Sequence, residues 1–231
     1  MLSVPIYQQP DETTCGPTCL HSIYQYYRKS YSLDSVINDV EQFEDGGTIG
    51  VLLANDALSK GFKATIYSYN LQIFDPTWFS LKQHDLIGKL KEQMAYKRDE
   101  KFLAASEGYI RFLELGGKLR FEDLRPGIIR RYLKKDQPVI TGLSATFLYK
   151  SMREFGASLD YDDIRGEPTG HFVVLHGYDV ATREVYIADP IKTNPTGNGT
   201  FYKLKIDRVI NAILLGIVTY DANLIIITPD K

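Results

Sequence analysis

Gln9-Pro10-Asp11-Glu12-Thr13-Thr14-Cys15-Gly16-Pro17-Thr18-Cys19-Leu20 marks the point where a loop becomes a helix. Pro17 suits a first helical turn, where its missing N–H is not needed. Leu20, Ile23, Tyr24 and Tyr27 then recur at i, i+3, i+4 and i+7, the period of one buried helix face. Cys15 therefore stands at the positive end of a helix dipole, beside backbone N–H groups with no intrahelical partner. That setting favours thiolate over thiol, and the thiolate is the nucleophile. An unperturbed cysteine, with a pKa of about 8.5, is only a few per cent ionised at pH 7, so the placement has chemical consequences.

At 231 residues the chain can bury one substantial core, and a single domain spanning 1–231 is expected. A formal net charge of −2 provides no basic footprint, so no nucleic-acid partner is expected. Met1-Leu2-Ser3-Val4-Pro5 has neither a charged n-region nor an apolar h-region, which argues against a secretory signal. The longest apolar run, 209–218 (VINAILLGIV), is too short to span a bilayer. Two cysteines one helical turn apart cannot form a disulfide framework for a chain this long, so both read as free thiols in a reducing compartment. The expected location is the cytoplasm.

Along the chain, helices are expected over 15–29, from 33 to about 42, and over 49–60, where Gly61 stops the third. Residues 62–69 (FKATIYSY) alternate and are rich in β-branched and aromatic types, the mark of a strand. The stretch 75–117 is charge-rich, with helical segments at 81–98 and 101–115 closed by Gly116-Gly117. Together with a helix over 122–135 it reads as a helical insertion, 75–135, lying against the core. Residues 137–143 form a short apolar strand, and 151–170 a long charged loop. The last third reads as antiparallel sheet: strands at 172–178, 184–188 and 200–206, a helix over 207–215, and a final buried strand at 223–228. Helices first and sheet last imply an α+β fold.

A cysteine nucleophile needs a base within hydrogen-bond reach, and the base needs a third group to hold its tautomer. The histidines are His21, His84, His171 and His176. His21 lies nearly opposite Cys15 on the same helix, and His84 lies in the polar insertion, where a surface role is expected. His171 and His176 share the strand Gly170-His171-Phe172-Val173-Val174-Leu175-His176-Gly177 and point to opposite faces, so at most one meets Cys15. The next strand ends in Ile187-Ala188-Asp189-Pro190, and with a turn near 179–183 His171 lies beside Asp189. His176 sits roughly 10 Å away along the strand, so distance favours His171, while side-chain parity is left open by the unknown register. Cys15, Cys19 and His21 share no helix face and lack a second ligand pair, so no metal and no cofactor is expected.

These motifs together resemble the papain-like double-glycine (bacteriocin-processing) cysteine peptidases and their stand-alone bacterial relatives. Members carry a Gln six residues before the nucleophile, as Gln9 precedes Cys15, a histidine opening a strand, and an Asp-Pro pair after the next strand. The resemblance implies an α+β papain-like fold in which a helix carrying Cys packs on a sheet carrying His and Asp. It implies Cys15 as nucleophile, His171 as general base and acid, Asp189 as orienter, and Gln9 as oxyanion donor with the backbone N–H of Cys15. The Gln spacing also separates the two cysteines, because Thr13, six residues before Cys19, has no amide. The match covers roughly residues 4–70 and 137–205, and the helical region between them is longer than the simple family pattern needs.

The expected function is hydrolysis of a peptide or other amide through a thioester. An acyltransferase using the same thioester and a non-catalytic peptide-binding domain are the alternatives. The partner in each case is a peptide or amide substrate.

Overall fold

The computed structural model describes residues 1–43, 46–80, 83–156, 158–195, 197 and 199–230, with only the backbone of 83 and 84. The side chain of His84 and the expected helical start at 81–82 thus lie outside the described residues.

The N-terminal half is helical. Helix α1 (Cys15–Tyr26) buries Leu20, Ile23 and Tyr24 completely, as the sequence period requires. Burying each such side chain contributes roughly 1.5–3 kcal/mol. It ends three residues before the expected boundary, on a left-handed Arg28 (φ 59°). Bonds from Arg28 N to Gln25 O and from Lys29 N to Tyr24 O close a Schellman turn, built without the usual glycine. Helix α2 (Leu33–Asp39) starts on Ser32, whose hydroxyl accepts from Ser35 N. Helix α3 (Gly50–Ser59) leads into strand β1 (Phe62–Ser68).

After a 3-10 turn (Pro76–Ser80), helices α4 (Gln83–Met94) and α5 (Glu100–Glu114) form a hairpin. Asp99 caps α5 by accepting from Phe102 N. Leu86 and Leu90 of α4 and Phe102, Tyr109 and Phe112 of α5 join the same core cluster as Leu20 and Leu53, so this region packs into the main core. Strand β2 (Lys118–Arg120) follows, then α6 (Pro126–Leu133) with Pro126 in its first turn, β3 (Val139–Ser144) and the short helix α7 (Ala145–Tyr149). Neither β2 nor α7 was expected: β2 has no apolar alternation, and α7 is too short to display a helical period. The expected loop over 151–170 contains a small hairpin, β4 (Glu154–Phe155) with β5 (Asp160–Tyr161).

The C-terminal part is β6 (Gly170–Asp179), β7 (Glu184–Ala188), β8 (Phe201–Lys205), α8 (Ile206–Leu215), a 3-10 turn (Gly216–Thr219) and β9 (Asn223–Pro229). Among the described residues one large sheet runs β2-β1-β9-β3-β6-β7-β8. All its pairings are antiparallel except β1 with β2. The strands that looked isolated in the sequence, β1 and β3, are joined by β9 between them. Phe172 and Val174 pack into the core on the α1–α3–α5 side, while Val173 and Leu175 pack on the α6–α8 side. Helices cover both faces, so the central strands read as unbroken apolar runs. The architecture is α+β.

Candidate active site

Thr14 precedes α1 with φ −100° and ψ 13° and makes no side-chain cap bond, which leaves the first N–H groups of the helix open. Cys15, half-buried, is the first helical residue, and Cys19, one turn on, is fully buried with Sγ 3.3 Å from Phe172 O. Both are free thiols. Burial first, then the neighbouring Cys15 and Asp189, push the Cys19 thiol well above its ordinary range. Gly16 makes the approach of α1 to β6 possible: a Cβ there would come within 2.8 Å of Thr48 Cγ2 and 3.2 Å of Phe172 Cδ2. The helix start and the start of β6 are therefore in close contact.

His171, at that strand start, is 6% exposed. Its Nε2 lies 2.9 Å from Asp189 Oδ1, and Cys15 is near enough to act on the same ring. Burial pulls the imidazole pKa down, but the charge of Asp189 and then of Cys15, with the hydrogen bond to Asp189, pushes it up to about 10. These partners favour the protonated ring.

Asp189 is fully buried at the end of β7. Oδ1 accepts from His171 and from Ile191 N (3.0 Å), and Oδ2 accepts from the hydroxyls of Tyr149 and Tyr202, each at 2.6 Å. Burial raises the carboxyl pKa, yet the His171 charge and these bonds outweigh it and hold the group below its ordinary value. Both tyrosines are pushed above the ordinary phenol range, by burial first and then by the anion, so they stay protonated donors. The sequence reading missed these two clamps. Tyr202 carried a weak signal as an inward residue of an alternating strand, whereas Tyr149, 40 residues away on α7, carried none.

Gln9 is tied to the same corner, its backbone N–H donating to Pro190 O at 2.9 Å. Its Nε2 donates one proton to Asp11 O at 2.8 Å, and its Oε1 is buried without a partner among the described residues. The Asp11 carbonyl also accepts from Thr14 Oγ1 (3.2 Å), while Asp11 Oδ1 accepts from Thr13 N (2.8 Å). These bonds make the 11–14 loop a compact turn leading into Cys15.

The other histidines lie elsewhere. His176 falls in a bulge between Leu175 and Gly177, its Nδ1 2.8 Å from Leu2 O and its ring edge-on to Tyr186 and Phe201. Burial lowers its pKa. His21 turns to Tyr31 O (3.1 Å) and Tyr7. In front of Cys15 opens a cleft of about 200 Å³, whose walls include Thr48, Gly170, Phe172, Tyr220 and Asp221. No helix among the described residues is long and apolar enough to cross a membrane.

Residues 3–91 match the model of the Peptidase C39 family, and residues 128–208 that of the Peptidase C39-like family. No curated protein matches the sequence. A crystal structure from Bacillus anthracis, described as a C39-like peptidase, is similar over 100% of this chain and 97% of its own, at 17% identity and a TM-score of 0.52. A double glycine motif protease from an AMS/PCAT transporter, in complex with the leader peptide, is 16% identical over 99% of this chain and 94% of its own, TM-score 0.47. The peptidase domain of Streptococcus ComA, a bi-functional ABC transporter involved in quorum sensing, is 15% identical over 97% and 98%, TM-score 0.44. The matched segments take in Gln9 and Cys15 on one side and His171 and Asp189 on the other, and the fold is shared with the Bacillus anthracis structure. The chain is thus similar at both ends to the C39-type peptidases, which indicates a cysteine peptidase-like hydrolase.

Proposed function

We propose that the protein hydrolyses a peptide or other amide bond through a thioester, with Cys15 as nucleophile, His171 as general base and acid, Asp189 as its orienter and Gln9 as oxyanion donor. One observation carries this reading: a single buried imidazole bonded to Asp189, with Cys15 near enough to act on the same ring. In such a pair the thiolate attacks the carbonyl carbon and the carbonyl oxygen becomes an oxyanion. The Cys15 N–H and the second Nε2 proton of Gln9 receive that charge, a contribution of about 3–4 kcal/mol for one such donor. The His171 proton passes to the leaving amine as the C–N bond breaks. Neutral His171 then takes a proton from water, whose oxygen attacks the thioester and releases Cys15. Asp189, held ionised by Tyr149, Tyr202 and Ile191 N, orients the ring and does not take the proton.

The whole chain, 1–231, acts in this reading as one catalytic domain with 75–135 inserted in it, working in the cytoplasm. The test is a peptide library digested by wild type and Cys15→Ala, with iodoacetamide labelling near pH 6 read by mass spectrometry. Cleavage lost in Cys15→Ala, with Cys15 labelled far ahead of Cys19, is expected. Labelling of Cys19 first, or cleavage that survives in Cys15→Ala, would overturn the assignment.

A further inference from the structure

Asp221 lines the same cleft as Cys15 and is only 4% exposed. Its Oδ1 accepts from the backbone N–H of Gly50, the first residue of α3, at 2.9 Å and from Asn223 Nδ2 at 3.2 Å. Its Oδ2 has no partner among the described residues, which leaves that oxygen to the cleft. The carboxyl rests on Gly142 of β3, where a Cβ would come within 2.5 Å of Asp221 Cβ, so β3 carries glycine to make room for it. Tyr220, just before it, takes a left-handed φ of 67°, a strained setting for an aromatic residue. It is held there by its hydroxyl on Asp99 and by Asn70 Nδ2 on its carbonyl.

Capping α3 requires one oxygen, which Ser or Asn would supply without burying a carboxylate. An acid buried with no cation bonded to it is costly, and such groups in clefts are functional candidates. Burial, opposed by the Gly50 and Asn223 bonds, pushes this carboxyl up to about 7. The neighbouring hydroxyls of the cleft give their protons to acceptors of the protein: Thr219 to Gly216 O, Thr48 to Glu41 O and Tyr220 to Asp99. What these groups turn to a ligand is lone pairs, which match N–H donors.

We propose that Asp221 is a substrate-recognition residue of the Cys15 cleft, its Oδ2 accepting a hydrogen bond from an N–H of the bound peptide. This rests on the reading of Cys15 as nucleophile and extends it to the substrate. Two sources present that chemistry, a backbone amide and a side-chain ammonium. They are separated by the chloromethyl ketones of acetyl-Ala-Ala-Gly and acetyl-Ala-Lys-Gly, which alkylate Cys15 only after peptide binding. Iodoacetamide needs no such binding and serves as the reference reagent.

In Asp221→Asn, Oδ1 still accepts from Gly50 while the cleft-facing acceptor becomes a donor. Asp221→Ser, which retains an oxygen at that position, is run beside it in case the amide variant does not fold. Relative to iodoacetamide, alkylation by a peptidyl reagent is expected to slow about tenfold or more in either variant, the loss of one charge-assisted hydrogen bond. Loss with both peptidyl reagents identifies a backbone N–H as the donor, and loss with the Lys reagent alone identifies the ammonium. Unchanged ratios for both reagents overturn the proposal while leaving Cys15 as nucleophile. Failure of iodoacetamide to label wild-type Cys15 overturns the nucleophile reading, and this proposal with it.

Discussion

Replacing Tyr202 by Phe removes one hydroxyl from the wall around Asp189 and leaves the ring in place. Asp189 is fully buried and accepts four hydrogen bonds, two on each carboxylate oxygen. The Tyr202 bond is short, 2.6 Å, and made to an anion, the stronger class of hydrogen bond. Its loss, with no water-sized gap created, is expected to destabilise the fold by about 1.5–3 kcal/mol at pH 7. For a chain of this size that is a Tm lower by roughly 3–10 °C. The pH dependence is the stricter test. Asp189 has a folded pKa below its unfolded value, so its stabilisation is present above the unfolded pKa and lost as pH falls through the folded one. Tyr202→Phe weakens that depression, so its penalty is largest near neutrality and shrinks on acidification toward and below pH 3.8, the ordinary carboxyl value. Urea denaturation of both proteins from about pH 2 to pH 8 measures it, since the change falls below 3.8. A penalty under about 0.5 kcal/mol at pH 7, the size of an ordinary surface change, would refute the clamp. So would a penalty that grows on acidification.

Gln9→Ala is expected to lower kcat about 10²-fold or more with the fold intact, since one oxyanion donor is lost; full activity in a steady-state assay would remove Gln9 from the site. His171→Ala should abolish turnover, whereas His176→Ala, which removes the ring's bond to Leu2 O but keeps the backbone bond from Leu2 N to His176 O, should cost about 1 kcal/mol of stability and leave turnover. The reverse pattern would show the wrong histidine had been chosen. Asp221 has a raised folded pKa, about 7, so the proton that the folded state retains makes wild-type stability fall as pH rises from 3.8 to 7. Asp221→Asn should lack that decline and gain on wild type toward pH 8 by an amount on the order of a few kcal/mol; parallel stability curves from denaturant titrations would contradict it.

Much of this was legible because it is written locally. The spacing of Leu20, Ile23 and Tyr24 announced α1, and the apolar runs at 172–175 and 224–227 announced central strands. Gly16-Pro17 located the start of the helix, and Asp189-Pro190 the end of β7. Helix and strand periods are properties of neighbouring residues, and they survive any tertiary arrangement that buries one face. The boundary at Tyr26 was not legible, because its left-handed stop falls on Arg28, a residue with no intrinsic preference for that conformation. The strand at 118–120 was hidden for a similar reason: charged residues form an edge only because β1 offers them a partner.

By itself the sequence determined that a cysteine stands at a helix start, that a glutamine precedes it, and that a histidine opens one strand while an aspartate closes the next. Only the tertiary structure decided which groups surround them. Tyr149 and Tyr202 reach one carboxylate from opposite sides of the chain order because α7 and β8 flank β7 and β6 in space. Asp221 reaches the cleft because β9 threads between β1 and β3 and leaves Gly142 beneath it. A hydrogen bond depends on approach within about 3 Å, and no pattern of types along a chain specifies which distant hydroxyl the packed core will bring that close.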